Sequence, residues 1–544
     1  MKSKFYRIIA CSWFVWGILI GNAEESKHCL LIRLNKNDKG SPDINTRLVF
    51  PGTYDFLLQS PEKKFSWADC DDLLFDVFVE KDASPGIQIM IYLQDWDHLW
   101  YQRLLQEQLQ AGITNRLRVK MNPAGKNNEE WQPVGHKGRW NLRSLIEPKE
   151  VGIRIFNKRA GEAKCHIANV ACTYRKERDP PYIKNFKISR KRLPCFECLT
   201  LTFTLPDRYV DPFDSDIVDV SACFVHEDGE KHCVPGFYTQ DYYIEPRGAN
   251  ESLIPQGAPY WCVKYTPCKP GVYKYTLKVK DAYGETTYGP EEFTVTPSQL
   301  PGFIRVSKKN PLLFEFDNGT TFFPIGHNIR SPYDGRMDKL FPWQQRWPEG
   351  ISAYVRYFND MRKYGENFTE IWMAAWTLAL EWTDIYPGYH GLGQFNLINA
   401  WQLDRLIDCA TTNGIYINLV IHNHGKFSTY CDEEWDDNPF NIRNGGYLKI
   451  PDEFFTDSRS KRAFLKLMRY SIARDGWRPN IFAWALWSEV DLTGSDKNRW
   501  NFQDTPSVIE WHEEMSRAIK SMDIYKHIIS THVSRDYRKM NKKL

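Results

Sequence analysis

Ile481-Phe482-Ala483-Trp484-Ala485-Leu486-Trp487-Ser488-Glu489 is an apolar run closed by a serine and an acid. It is too apolar for a surface loop, so Ile481 to Trp487 reads as a buried strand. Its flanks decide the kind of sheet. Ser460 to Ala473 before it and Ser507 to Ser521 after it have apolar residues at helical spacing, as do Ile351 to Tyr364 and Trp401 to Thr412. Between them Phe322 to Ile325, Phe368 to Met373, Ile415 to Ile421 and Ile528 to Val533 read as strands. Strands alternating with helices imply a parallel sheet, and the absence of a Gly-rich phosphate loop favours a (β/α) barrel over a dinucleotide fold. Five such units do not close an eight-stranded barrel, so the expectation for residues 300–544 is an incomplete (β/α)8 TIM barrel.

In such a barrel reactive groups gather where strands end. The ends here are Gly326-His327-Asn328, Trp372 through Trp376, His422-Asn423-His424, Ser488-Glu489 and Thr531-His532. Imidazoles and amides in succession suit hydrogen bonding to a polyhydroxylated ligand. The expected binding residues are therefore His327, Asn328, Trp376, His422, Asn423, His424, Ser488 and His532. Glu489, carried by the apolar strand to the barrel mouth, is the expected catalytic residue, because partial desolvation raises a carboxyl pKa toward that of a general acid. The alternative is a carboxylate paired with a neighbouring Arg or Lys. Trp376, Trp382, Tyr386, Tyr389, Trp435 and Tyr447 fall in the loops after the second and third strands, where flat rings could stack on pyranose faces or pack the loops together.

Upstream the period changes to two. From about Phe65 to Ile167, Leu73, Phe75, Val77 and Val79, then Ile87, Ile89, Ile91 and Leu93, alternate with other residues, and only Trp100 to Gln110 has the length for a helix. This predicts a first β-sandwich over 24–178. After Pro180-Pro181, Leu199 to Leu205, Val218 to Phe224, Tyr260 to Tyr265 and Tyr273 to Lys280 predict an immunoglobulin-like sandwich over 179–299. Pro297 to Pro301 reads as a linker that few contacts cross.

The chain has 544 residues with 71 Lys plus Arg and 68 Asp plus Glu. Lys2, Lys4 and Arg7 precede the largely apolar run Ile8 to Ile20 and the small residues Gly21-Asn22-Ala23, which reads as a secretory signal peptide over 1–23 rather than a span, for which about 20 residues are needed. Without it the charges balance, which argues against nucleic acid and anionic membrane as partners. A secreted or periplasmic protein with no membrane span in the mature chain is expected. Export also permits disulfides, and Cys223 with Cys233, or Cys262 with Cys268, bracket short loops. Cys195-x-x-Cys198 has the spacing of half a zinc site but no second pair, and Asp95-Trp96-Asp97 lacks a full calcium ligand set. No metal and no cofactor are expected.

Phe322-Phe323-Pro324-Ile325-Gly326-His327-Asn328, Ile415 to His422 and Trp484 to Asp491 together resemble the retaining, cellulase-like (β/α)8 glycosidases grouped around glycoside hydrolase family 5. The resemblance implies that Glu489, ending strand four, is the acid/base in cleaving O-glycosidic bonds of a polysaccharide or oligosaccharide. Trp261-Cys262-Val263-Lys264-Tyr265-Thr266-Pro267 and Gly271-Val272-Tyr273 resemble the immunoglobulin-like module that often precedes such barrels, and residues 27–175 resemble a carbohydrate-binding jelly roll. Three departures stand out. Ser488 replaces the family's Asn; Glu370, in Gly365-Glu366-Asn367-Phe368-Thr369-Glu370, replaces an Arg; and the nucleophilic Glu of strand seven has no counterpart before Leu544. The resemblance therefore implies a glycosidase whose nucleophile is missing from this chain, which alone is expected to be inactive. The rival is a non-catalytic carbohydrate-binding protein or inactive fragment.

Overall fold

The computed structural model describes residues 27–534, leaving aside 35–38, 61–66, 84, 96–97, 106–108, 123–129, 139, 141–142, 147, 174–178, 207, 210, 248–249, 330, 332–350, 387 and 497–501. The expected signal peptide, and Trp96 and Asp97, lie outside the described residues. No helix among those described is long and apolar enough to cross a membrane.

The period-two segments pair as antiparallel strands. Pro148–Thr173 is the hub of the first sheet system, bonded to Ile44–Gln59, Asp72–Val79 and Gln88–Asp95. Leu73, Phe75, Val77 and Val79 all face its core, as their alternation requires. Trp131 stacked on Trp140 at 4.1 Å fills one end. The stretch from Trp100 that had the length for a helix instead supplies the strand Trp100–Leu104, with Tyr101 buried in the core and Trp100 stacked on Tyr92 at 4.5 Å. Those two neighbours point to opposite faces, which a strand permits and a helix does not.

The second β module is built on two sheets, one of four strands and one of five, the former extended by Lys137–Gly138 of the first module, which pairs in parallel with Gln256 and Gly257. One contains Leu199–Thr204, Phe237–Arg247 and Asn250–Tyr265, the other Val218–His226, Gly271–Asp281 and Gly284–Thr296. Phe224 stacked on Tyr265 at 4.0 Å joins their inner faces. Cys223 and Cys233, opposite one another on adjacent strands, form a disulfide, whereas Cys262 and Cys268 are free. The separation of 10 residues between Cys223 and Cys233 makes their bridge worth about 2–3 kcal/mol through loop entropy. Cys223→Ser should therefore lower the unfolding free energy by that amount and the urea midpoint with it, and reductant should shift the wild type but not the variant. A wild-type midpoint indifferent to reductant would contradict this.

Contrary to the expectation of a sparsely crossed linker, this module and the one after it share a single hydrophobic core. Phe213 packs on Phe395 at 5.0 Å and Tyr470 at 5.5 Å, Tyr470 donates to the Tyr238 carbonyl, and Tyr525 accepts from the Thr266 amide at 2.7 Å. Lys466 to Asp211 and Arg469 to Asp219 are ion pairs across the same seam. The linker reading used only local proline content, which carries no information about what packs across it.

In the third module Phe368–Trp372, Tyr416–Asn423, Ile481–Ser488 and Ile528–Ser530 form a parallel sheet in chain order. Helices Ile351–Lys363, Leu397–Asn413, Ser458–Asp475 and Pro506–Met522 alternate with them. Asn396 caps the second of these through the Asn399 amide, and Gly414, at φ 71°, ends it. The expected first strand, Phe322 to Ile325, departs from this pattern. Phe322 ends a small antiparallel sheet, and a single parallel bridge, Gly326 to Phe368, reaches the main sheet. Asn367 explains the break: its side chain accepts from the Ile325 amide at 2.8 Å and donates to the Phe323 carbonyl at 3.0 Å, taking over bonds a neighbouring strand would make. Only glycine fits at 326, where a Cβ would lie 1.8 Å from the Phe368 carbonyl oxygen.

Candidate active site at the strand ends

All eight residues of Ile481–Ser488 are buried, and the chain leaves the sheet at Glu489 in a left-handed conformation, φ 58° and ψ 51°. Such a backbone is uncommon for a residue with a side chain and is held only where its surroundings over-determine it. Here the Trp487 carbonyl accepts from the His532 amide at 2.9 Å, and the Val490 amide donates to the His532 carbonyl at 3.1 Å. Two backbone bonds to the next strand's end thus brace the turn on both sides of Glu489.

The carboxylate so placed is partly exposed, 28%, amid buried neighbours. Its Oε2 lies 3.1 Å from His424 Nδ1, at ion-pair distance though not in line as a hydrogen bond. The other ring nitrogen, Nε2, lies 3.3 Å from Asp432 Oδ2. Asp432, imidazole and Glu489 therefore form a line. The imidazole thus has one ring nitrogen facing each carboxylate.

Beneath this line runs a polar chain across the sheet. Ser530 donates to Asn418 Oδ1 at 3.1 Å, Asn418 to Glu370 Oε2 at 3.1 Å, and the Trp372 indole to Glu370 Oε1 at 2.7 Å. The Trp372 ring stands edge-on to His424, centroids 6.3 Å apart. Glu370, where the family resemblance implied an Arg, thus has both oxygens occupied by neutral donors.

The other expected residues divide. Asn423 and Ser488 are buried and lie opposite one another in register. The Asn423 side chain bonds the Glu434 carboxylate. His327 is at the exposed rim, with Nδ1 2.6 Å from Glu366 Oε2; Asn328 and His532 are exposed as well. Trp376 is 38% exposed, its indole donating to Ser331 Oγ at 3.2 Å. His422 departs from the expectation: it is enclosed by Phe427, Phe454, Phe464 and Trp487, and burial holds it neutral by pushing its pKa well below the usual value. Its position after an apolar run marked it as a strand end, but its ring joins the aromatic layer under the outer helices. Of the six loop aromatics, Trp382, Tyr389 and Trp435 are buried, Tyr447 is half-buried, and Trp376 and Tyr386 keep exposed faces.

Sequence reasoning missed a buried charged cluster behind the site. Burial pushes the carboxyl of Glu381 up to about 7, although the Gly393 amide and the Lys426 charge pull it down. Burial likewise raises Glu434 to about 7 and lowers Lys426 to about 8. Lys426 donates to the Met373 carbonyl at 2.5 Å and the Ile421 carbonyl at 3.2 Å. Glu381 lies 45 residues before Lys426 and the three charges follow no period, so only the fold reveals the cluster. Between the ordinary value of 4.5 and about 7 the folded chain keeps a proton on Glu381 that the unfolded chain gives up, so this group costs stability as pH rises through that window. Glu381→Gln should therefore gain on the wild type by roughly 2–3 kcal/mol between pH 5 and pH 8. Urea midpoints of the two proteins that keep a constant difference over that range would refute it.

Residues 192–280, within the second β module, match a domain of unknown function (DUF5060). No curated protein matches the chain. Among solved structures, the chain is similar to a candidate glycoside hydrolase from Bacteroides vulgatus, at 16% identity and a TM-score of 0.42, over 64% of this chain and 58% of that one. It is also similar to an endo-1,4-β-mannanase from Rhizomucor miehei, at 17% identity and 0.31, over 44% and 66%. A third is a β-glucuronidase from Parabacteroides merdae, at 12% and 0.28, over 88% and 47%. The chain thus spans less than two thirds of each of these proteins.

Proposed function

We propose that this chain is an exported glycoside hydrolase-like protein whose third module has the strand–helix alternation of a (β/α)8 barrel, and whose ligand is a polysaccharide or oligosaccharide. The observation that carries the proposal is the Asp432, His424, Glu489 line: a partly exposed carboxyl at a strand's C-terminal end, braced in a left-handed turn and 3.1 Å from a nitrogen of a buried imidazole. In retaining hydrolysis Glu489 would protonate the departing glycosidic oxygen and then take a proton from the attacking water, while His424 orients Oε2 and Asp432 fixes the ring. A second carboxyl roughly 5–5.5 Å away would act as nucleophile. Asn423 and Ser488 support the floor of the site, and His327, Asn328, Trp376 and His532 lie at its rim.

A second reading, carbohydrate binding without cleavage, is favoured by two observations. Glu370 has both oxygens engaged by Trp372 and Asn418, and Ser488 is buried where the resemblance implied an amide facing the sugar. Turnover and binding measured on one sample distinguish the two. In a protein that carries the second carboxyl as well, Glu489→Gln should slow cleavage of an unactivated oligosaccharide by about 10²-fold or more, and cleavage of a dinitrophenyl glycoside, whose leaving group needs no proton, far less. Binding with no turnover in that protein, unchanged in Glu489→Gln, would leave a binding protein and remove the catalytic role.

A further inference from the structure

Two cysteines 102 positions apart, Cys70 and Cys172, meet inside the first module. Cys172 lies on Pro148–Thr173 opposite Leu73, so strand alternation would send Cys70, three residues upstream of Leu73, to the other face. The chain turns instead. The Cys70 amide donates to the Trp67 carbonyl at 3.1 Å and the Asp71 amide to the Thr173 carbonyl at 2.8 Å, which folds Cys70 back over the end of the ladder. Both side chains are then enclosed, 1% and 0% exposed, and the Cys70 thiol meets the Cys172 thiol as well as the Asp72 carbonyl, 3.5 Å away.

A buried cysteine is ordinarily a small apolar filler, and Cys165 on the same strand behaves as one: burial alone pushes its thiol up to about 12. Cys70 differs. Burial, the Cys172 thiol, and the charges of Asp72 and Asp71 together push its thiol well above the ordinary value. Cys29, on the neighbouring strand Lys27–Cys29, is opposite Ala171 and so on the face away from Cys172. In the second module Cys223 and Cys233 are bridged, as suits a chain that folds in an oxidising compartment.

We propose that Cys70 and Cys172, thiols in this structure, are joined by a disulfide in the exported protein. The thiolate of one attacks a low-molecular-weight disulfide, such as glutathione disulfide, and expels one glutathione thiolate; the second cysteine then attacks the mixed disulfide and expels the other. The two cysteines lose two protons and two electrons, and glutathione disulfide takes them up to become two thiols. Because thiolate is the reacting form and the closed core suppresses it, the bond forms while the module folds. The proposal rests on the export read above and is independent of the role of Glu489.

The full chain, produced in a bacterial periplasm, tests it. Free thiols are blocked with iodoacetamide in urea without reductant, and the tryptic peptides are mapped by mass spectrometry. Peptides Phe65–Lys81 and Cys165–Arg175 should appear linked, two hydrogens lighter than their sum, with fragmentation placing the bond on Cys172 and the alkyl group on Cys165. Cys172→Ala should free Cys70 for alkylation and leave Cys223 linked to Cys233, whereas Cys165→Ala should keep the Cys70 link. Full alkylation of Cys70 and Cys172 in the wild type, a link from Cys70 to any other cysteine, or loss of the link in Cys165→Ala would overturn the proposal.

Discussion

Arg474→Met should lower the stability of the chain by about 3–5 kcal/mol, the cost of leaving a buried charge without its partner. Arg474 is buried at the seam between the second and third modules. It donates to Asp404 Oδ2 at 2.6 Å, Thr239 Oγ1 at 2.8 Å, the Ala400 carbonyl at 3.2 Å and the Tyr470 hydroxyl at 3.3 Å. Arg478, equally buried, reaches the other Asp404 oxygen at 3.2 Å, Asp475 at 3.1 Å and Asp408 at 2.5 Å. Burial opposes ionisation of Asp404, yet Arg474, Lys264 and Arg478 outweigh it and hold the carboxyl below its usual range. Asp475 moves the other way, up to about 7, through burial and the nearby Asp404. Methionine keeps the volume but leaves Asp404 half-neutralised and Thr239 without its donor. The Asp404→Asn, Arg474→Met pair should cost less than the sum of the singles, because each single strands the other's charge. Additive losses would mean the two do not act as a pair. Because the network joins the two modules, wild type should unfold through one transition for both, and separate melts of the second and third modules would contradict the shared core.

Trp487→Ala should cost a comparable 3–5 kcal/mol, for a different reason. The indole is fully buried, its Nε1 donates to Thr493 Oγ1 at 2.9 Å, and it is enclosed by His422, Phe427, Phe454, Phe455 and Trp511 at centroid distances of 5.0–5.8 Å. Truncation opens a cavity that these rings, packed on one another, cannot collapse into. The Trp487 carbonyl also anchors the brace around Glu489, so the left-handed turn should loosen along with the core. Urea denaturation reads the first effect and oligosaccharide binding the second. Trp487→Phe, which keeps most of the apolar volume, should recover at least half the stability; if it is as damaging as alanine, the indole hydrogen bond, not the packing, is what matters.

Much of the architecture was legible before any coordinates, because hydrophobic period is a local property that side chains impose on a few neighbouring residues. Leu73 to Val79 and Tyr273 to Val279 alternate and form strands; Ser460 to Ala473 repeats at helical spacing and forms a helix. The same local rule misread Phe322 to Ile325, where the distant Asn367 side chain occupies the backbone groups a strand partner would have bonded. It also misread the proline-bounded linker, since proline describes the chain's own stiffness and not the Phe213 contacts that cross it.

Sequence alone placed Glu489 at the end of an apolar strand, because seven consecutive apolar residues leave the following acid nowhere else to go. It brought His422 and His424 to the same strand end without telling them apart. Tertiary structure decided that His424 meets Glu489 and Asp432 while His422 turns into an aromatic cage, and that Glu381, Lys426 and Glu434 gather behind them. The reason is physical: burial and charge pairing depend on which surfaces the folded sheet brings together, and residues 65 positions apart carry no local mark of being 3.1 Å apart.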